Sequence, residues 1–218
     1  AKKQFDEDPG FAEKSRSYVV ALQQDQPDVL VKWRAFIEIS MSHCEAIYSD
    51  LNVTLHQKDT FGESQYKGTI PAIMETLTKE GLITKSNNAL CVFLDEFTDK
   101  NGEKQPVIVQ KSDGGYLYST TDLAAIRHRA HELRADRILY FVDARQTLHF
   151  KQIFALARKA GLCPPKVVMD HISNGAILNR AGKPFKTRDG NTVKLADLIK
   201  ESRERAKEIF LAKNEKAE

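Results

Sequence analysis

The chain has 218 residues, 41% hydrophobic, 29% charged and 8% aromatic. This composition excludes collagen-like, disordered and disulfide-dense scaffolds and predicts a globular core large enough to need no disulfide or metal staple. Thirty-three Lys and Arg against 30 Asp and Glu leave a formal charge of +3, too little to argue nucleic-acid binding from bulk charge, so an anionic partner must be met by a local patch.

No apolar run approaches the roughly 20 residues of a membrane span, and the N-terminal stretch lacks the apolar core of a signal peptide. Cys44, Cys91 and Cys163 are odd in number and free of C-x-x-C spacing; they read as reduced, buried thiols of a cytoplasmic protein. The Asn52-Val53-Thr54 sequon is then an accident of spelling. The charged start at Ala1, without an initiator Met, reads as that of a fragment.

Phe11, Tyr18, Val19 and Leu22 recur at helical spacing, and Pro27-Asp28 opens a second helix running to about Asp50. Leu51 to Leu55 alternates as a short strand, followed by a turn-rich segment from Lys58 to Lys67. A helix is predicted from Ile70 to Glu80, stopped by Gly81. Lys85 to Asn88 reads as a turn before a strand at Ala89 to Leu94, and Asp99 to Gly102 as a tight connection into a strand at Pro106 to Gln110. After Gly114-Gly115 the rhythm becomes βαβ: a short strand ending at Tyr118, helix 121–133, strand 138–142, helix 149–160, strand 167–169 and helix 193–213. That alternation predicts a small parallel sheet of about three strands, with ligands at the strands' carboxyl ends. A complete fold of this kind needs five or six strands, so half of it is expected to be missing.

Three constellations could carry chemistry. In the first, Tyr118 and Asp122 lie together at a strand end, offering a phenol and a carboxylate to a cationic ligand; the bland reading is that Thr120 or Thr121 caps the helix with Asp122 in its first turn. In the second, Asp143, Arg145, Gln146 and His149 crowd the next strand end, where a lone Gln or His is otherwise merely solvated. In the third, Lys183, Lys186 and Arg188 stand on a loop from Asn179 to Val193, ahead of a helix capped by Asn191 or Thr192. Such cations suit a polyphosphate and would stabilise charge on a departing pyrophosphate; the alternative is a solvated basic hairpin. His128 and His131 are a weak metal signal without a third ligand, and the charges of Arg203, Glu204, Arg205, Lys207 and Glu208 read as an exposed helix face. The chain has no G-x-S-x-G, Walker loop, G-x-G-x-x-G or H-E-x-x-H.

Four stretches carry a resemblance: Leu51-Asn52-Val53-Thr54 with Gly62 to Tyr66; Val92 to Phe97; Gly114 to Tyr118 through Thr121-Asp122-Leu123-Ala124; and Gly182 to Arg188 through Thr192 to Leu195. At these residues the chain resembles the bacterial-type arginyl-tRNA synthetases, class I aminoacyl-tRNA synthetases, continuously from about Phe5 to its end. The resemblance implies ATP-dependent activation of arginine and its transfer to tRNA(Arg), with Mg2+ accompanying ATP. It implies an arginine pocket of Tyr118, Asp122 and Gln146, in which Asp122 holds the guanidinium. His149, Gly175 and Lys186 are implied on the ATP side, and Lys183, Lys186 and Arg188 take the place of the family's second signature, with a different spelling.

The H-I-G-H type signature occurs nowhere in the chain, and neither do the amino-terminal tRNA-elbow domain nor the helical anticodon-binding domain. The expectation is therefore an excised piece, inactive alone: an α/β fold comprising the second half of a Rossmann-like nucleotide fold preceded by an α+β insertion. Its divisions are a linking helix at 1–27, the insertion at 28–105, and the half-fold with signature loop and last helix at 106–218. The full-length enzyme is expected to be monomeric and free of membranes, while the piece has an open sheet through which to self-associate. The rival reading is a non-catalytic paralogue or RNA-binding interaction module that keeps the synthetase shape.

Overall fold

The computed structural model describes residues 2–175 and 194–214. Its described helices and strands are α1 (Lys2–Glu7), α2 (Pro9–Gln23), α3 (Pro27–Asp50), α4 (Ile70–Lys79), β1 (Ile83–Ser86), β2 (Ala89–Thr98), β3 (Lys104–Gln110), α5 (Tyr118–His131), β4 (Arg137–Asp143), α6 (Thr147–Lys159), β5 (Val168–Asn174) and α7 (Leu195–Lys213). They belong to two compact units. One contains α1 to α3 with α7, and the other runs from Phe61 through β5.

In the first unit the helices begin where the sequence supplies start signals. Asp8 accepts a hydrogen bond from the Phe11 amide at 3.1 Å and Pro9 occupies the first turn of α2, while Pro27 opens α3. The strand expected at Leu51 to Leu55 does not form. Asn52 adopts a left-handed φ of 55°, and the Val53 amide donates back to the Tyr48 carbonyl at 2.8 Å. The segment's donors therefore close the end of α3 instead of pairing with a neighbour. Cys44, expected to be buried, is exposed on α3, whereas Cys91 and Cys163 are buried. Along α7 the Arg205 guanidinium pairs with Glu201 at 2.5 Å, and Arg203 reaches Asp50 of α3 at 3.0 Å.

The second unit is built on a continuous core. Ile70, Ile73 and Leu77 form the buried stripe of α4, and Phe150, Ile153, Leu156 and Ala157 that of α6. Ile70 apart, these stripes share one core with Val92 and Leu94 of β2, Val107 and Val109 of β3, and Leu123 and Ile126 of α5. Each such aliphatic side chain contributes about 1.5–3 kcal/mol by leaving water.

β1, β2 and β3 form an antiparallel sheet in that order. Lys85 and Ser86, expected in a turn, are paired with Leu90 and Ala89. The turn narrows to Asn87-Asn88, both at positive φ, 48° and 60°, the geometry a two-residue hairpin requires. β4 and β5 pair in parallel with Arg137 opposite Val168 and Asp143 opposite Asn174. Among the described residues the parallel sheet has two strands, not three.

The missing strand is the one expected to end at Tyr118. Only Tyr116 makes a bridge, to Gln110, and Tyr118 is already the first residue of α5. The reason lies in the next two side chains. Ser119 Oγ donates to the Ile108 carbonyl and Thr120 Oγ1 to the Val109 carbonyl, each at 2.5 Å. Hydroxyls thus satisfy acceptors on β3 that a further strand would otherwise have met. Neither threonine caps the helix: Leu117 is the N-cap residue and no side chain bonds there. Nor does Asp122 stand in the first turn; it lies one turn in, where its carboxylate has side-chain partners instead.

Candidate functional site

Tyr118 and Asp122, four residues apart, project from one face of the amino end of α5. α6 brings His149 to the same place: its Nε2 lies 2.7 Å from Asp122 Oδ2. Since an ionised carboxylate only accepts, Nε2 carries the proton. The Asp122 side chain is 26% exposed and that of His149 15%, so the pair is half withdrawn from water yet reachable by a ligand. The His149 ring meets the Tyr118 ring edge-on, with centroids 4.8 Å apart, and packs edge-on against buried Phe150 at 5.1 Å.

The turn before α6 is held by its own residues. Asp143, last in β4, accepts from the Arg145 backbone amide at 2.8 Å and from the guanidinium Nε and Nη2 at 2.9 Å each. The side-chain bonds to Arg145 bring the Asp143 carboxyl down to about 2. These two residues, candidates for ligand contact in the sequence, are therefore engaged with each other in building the turn. Gln146 ends that turn, exposed, three residues before His149; among the described residues no hydrogen bond joins its side chain to Asp122. Gly175, just past β5, is exposed, and none of the described residues lies within 4 Å of where its Cβ would stand. Lys183, Lys186 and Arg188 lie outside the described residues, as do Asn191 and Thr192.

Two features of the site escaped sequence reasoning. Glu63 Oε1 accepts from Thr121 Oγ1 at 2.9 Å, placing a second carboxylate beside the amino end of α5; Gly62 to Tyr66 was legible as part of the resemblance, but no role attached to Glu63. Behind the site, Arg129 lies over the Tyr140 ring, 5.0 Å from its centroid. Burial pushes the Tyr140 phenol up to about 12, with Arg129 opposing. His128, one of the weak metal candidates, instead bonds Glu132 at 2.8 Å and stacks on Phe61 at 4.6 Å. In the first unit an open apolar groove of about 470 Å3 is lined by Leu51, Leu195, Leu198 and Ile199. Asp50, Ser202 and Arg203 stand on its wall as well, and none of the candidate site residues among those described lines it.

A half-buried carboxylate with an aromatic wall, at the amino end of a helix, has the chemistry to accept hydrogen bonds from an organic cation. Residues 1–218 match the catalytic domain of the class I (R) tRNA synthetases. The chain belongs to that family, the class I arginyl-tRNA synthetases. It is 51% identical over 214 residues to the arginine-tRNA ligase of Hahella chejuensis and 52% identical over 214 residues to that of Pseudomonas fluorescens, covering 98% of this chain in each case. It spans 37% of the length of these relatives.

Among solved structures, the arginyl-tRNA synthetase of Plasmodium falciparum matches with a TM-score of 0.76 at 29% identity, over 94% of this chain and 32% of that one. The arginyl-tRNA synthetase of Thermus thermophilus shares the fold, with a TM-score of 0.60 at 15% identity, over 99% of this chain and 41% of that one. The α/β architecture with a parallel sheet expected from the sequence is that of a class I synthetase catalytic domain. The chain is a part of such a synthetase.

Proposed function

We propose that the chain is the part of an arginine-tRNA ligase that selects the amino acid, and that Tyr118, Asp122 and Gln146 line the arginine pocket. The observation that carries this reading is the convergence of Tyr118, Asp122 and His149 from two helices on one half-buried carboxylate. A guanidinium presents planar N–H donors that match a carboxylate, and a phenol ring packs on its face. Gln146, free of the Asp143–Arg145 pair, can swing its amide toward the same ligand.

Once bound, the arginine carboxylate oxygen attacks the α-phosphorus of ATP in line. The bond to the bridging oxygen breaks, and pyrophosphate leaves with that electron pair. The resulting mixed anhydride is then attacked by a terminal ribose hydroxyl of tRNA(Arg), and AMP departs. No side-chain nucleophile takes part; the protein acts by positioning and by stabilising charge. Lys183, Lys186 and Arg188 are assigned to the phosphates, and Gly175 and Lys186 to the ATP side; His149, implied there by the resemblance, has its Nε2 engaged with Asp122 at 2.7 Å. Mg2+ is assigned to ATP itself, where phosphate oxygens would hold it.

The divisions at 1–27, 28–105 and 106–218, the cytoplasmic location and the monomeric state of the full-length enzyme belong to the same proposal. The test is Asp122→Ala in the full-length enzyme, assayed by arginylation of tRNA. Losing a charge-assisted bond worth about 2–3 kcal/mol raises the arginine KM roughly 30- to 150-fold. An unchanged arginine KM would remove Asp122 from the pocket.

A further inference from the structure

Asp122 could bind a guanidinium with no help from His149, and the resemblance implies His149 on the ATP side. The geometry gives the imidazole another task. Its Nε2–H is committed to Asp122 Oδ2 at 2.7 Å, and its ring is fixed by two edge-on aromatic contacts, Tyr118 at 4.8 Å and Phe150 at 5.1 Å. Phe150 is itself anchored in the core, 5% exposed and tilted against Tyr140 with centroids 4.8 Å apart. An exposed carboxylate rotates freely about its last torsion, which is broad and two-fold. A donor on one oxygen, held by a ring packed against core-anchored Phe150, restricts that freedom.

We propose that His149 is a positioning residue for amino-acid selection, locking the plane of the Asp122 carboxylate so that it meets a planar guanidinium as a fork. This rests on the arginine-pocket reading above and extends it. The chemistry is consistent within one carboxylate: it accepts at about four lone-pair sites, so the imidazole on Oδ2 leaves one site on each oxygen for two parallel N–H groups. A carboxylate of fixed plane favours the rigid fork of arginine over the rotating ammonium of lysine, which gains nothing from the plane being set. The same arrangement explains why a histidine on the next helix lies three residues beyond Gln146: one short segment supplies a ligand donor and the support for the opposite wall.

The test uses the full-length enzyme and arginylation of tRNA, with arginine and ATP varied separately. His149→Phe keeps the ring and removes the donor; it is expected to raise the arginine KM by about tenfold or more, with the ATP KM within about twofold of wild type. His149→Gln returns an N–H near the position of Nε2 and is expected to recover most of that loss. In the Asp122→Ala background, His149→Phe is expected to add nothing further to the arginine KM, because the group it positions is gone. An ATP KM that rises while the arginine KM stays put overturns the proposal, as does a Gln variant as impaired as Phe, or an undiminished penalty in the Asp122→Ala background. The two readings separate cleanly: a large Asp122→Ala effect with none from His149→Phe refutes the positioning role alone, whereas no Asp122→Ala effect refutes the pocket and this role with it.

Discussion

The hydroxyl of Thr120 holds the amino end of α5 in place, and replacing it isosterically isolates that task. Thr120 is fully buried and donates to the Val109 carbonyl at 2.5 Å. Thr120→Val keeps the shape, removes the donor and leaves the carbonyl facing a methyl group. The unmet acceptor costs about 1–3 kcal/mol, and the added methyl recovers up to about 0.8 kcal/mol by burial. For a mid-range penalty of about 2 kcal/mol the net destabilisation is about 1–2 kcal/mol. With a urea slope of about 2 kcal/mol per M, the unfolding midpoint falls by roughly 0.5–1 M.

Urea titration of the chain, followed by far-ultraviolet circular dichroism, reads the midpoint, and hydrogen exchange resolved by peptide locates the change. Amides 118–122 and 107–110 are expected to lose protection while those of α6 keep theirs. Because Asp122 lies two residues beyond Thr120, the same substitution in the full-length enzyme raises the arginine KM. A midpoint shifted by less than about 0.2 M, or a loss of protection spread evenly over the unit, would refute the claim that this hydroxyl pins α5 to β3.

Three further outcomes follow from named contacts. The Asp143 carboxyl, held at about 2 chiefly by the Arg145 side chain, is expected to titrate in that range by NMR, and Arg145→Gln raises its midpoint, only in part because the backbone amide of residue 145 still donates to it; because the folded value is the depressed one, the pair stabilises the fold above the unfolded value and that contribution disappears as pH falls toward 2, so an unmoved midpoint in the variant contradicts the assignment. Burial pushes the Cys91 and Cys163 thiols up, while Cys44 is exposed, so alkylation at neutral pH, read by mass spectrometry, labels Cys44 first and reaches the other two only on unfolding. Leu139, Phe141, Val168 and Ile172 expose apolar side chains on one face of the β4–β5 pair, Phe141 at 71%; Phe141→Lys is expected to suppress self-association of the chain in sedimentation velocity, and identical concentration dependence in both forms would exonerate this face.

The elements that were legible in the sequence share a property: their signals are local. Pro27, the apolar period of α4 and the stop at Gly81 each concern residues within a turn or two, and periodicity reads them directly. The extended reading of Leu51 to Leu55 failed because alternation over five residues cannot register that Asn52 will turn left-handed and send the Val53 amide back to α3. The strand placed before Tyr118 failed for a related reason. Its β-forming residues were real, but the acceptors on β3 were claimed by Ser119 and Thr120, a contact across eleven residues that no window displays.

The site divides along the same line. The sequence singled out Tyr118, Asp122, Gln146 and His149 as chemically apt groups, because a phenol and a carboxylate close together at a strand end, and polar crowding at the next one, are properties of neighbours. That His149 would spend its Nε2 proton on Asp122, 27 positions away, and that Glu63 would reach Thr121 across 58, was decided by how α5, α6 and the segment after Phe61 pack on one core. The sequence determined which groups were available and which elements would carry them. Tertiary packing decided which of them meet, because burying apolar stripes fixes the relative placement of helices, and that placement alone sets a distance between side chains so far apart in the chain.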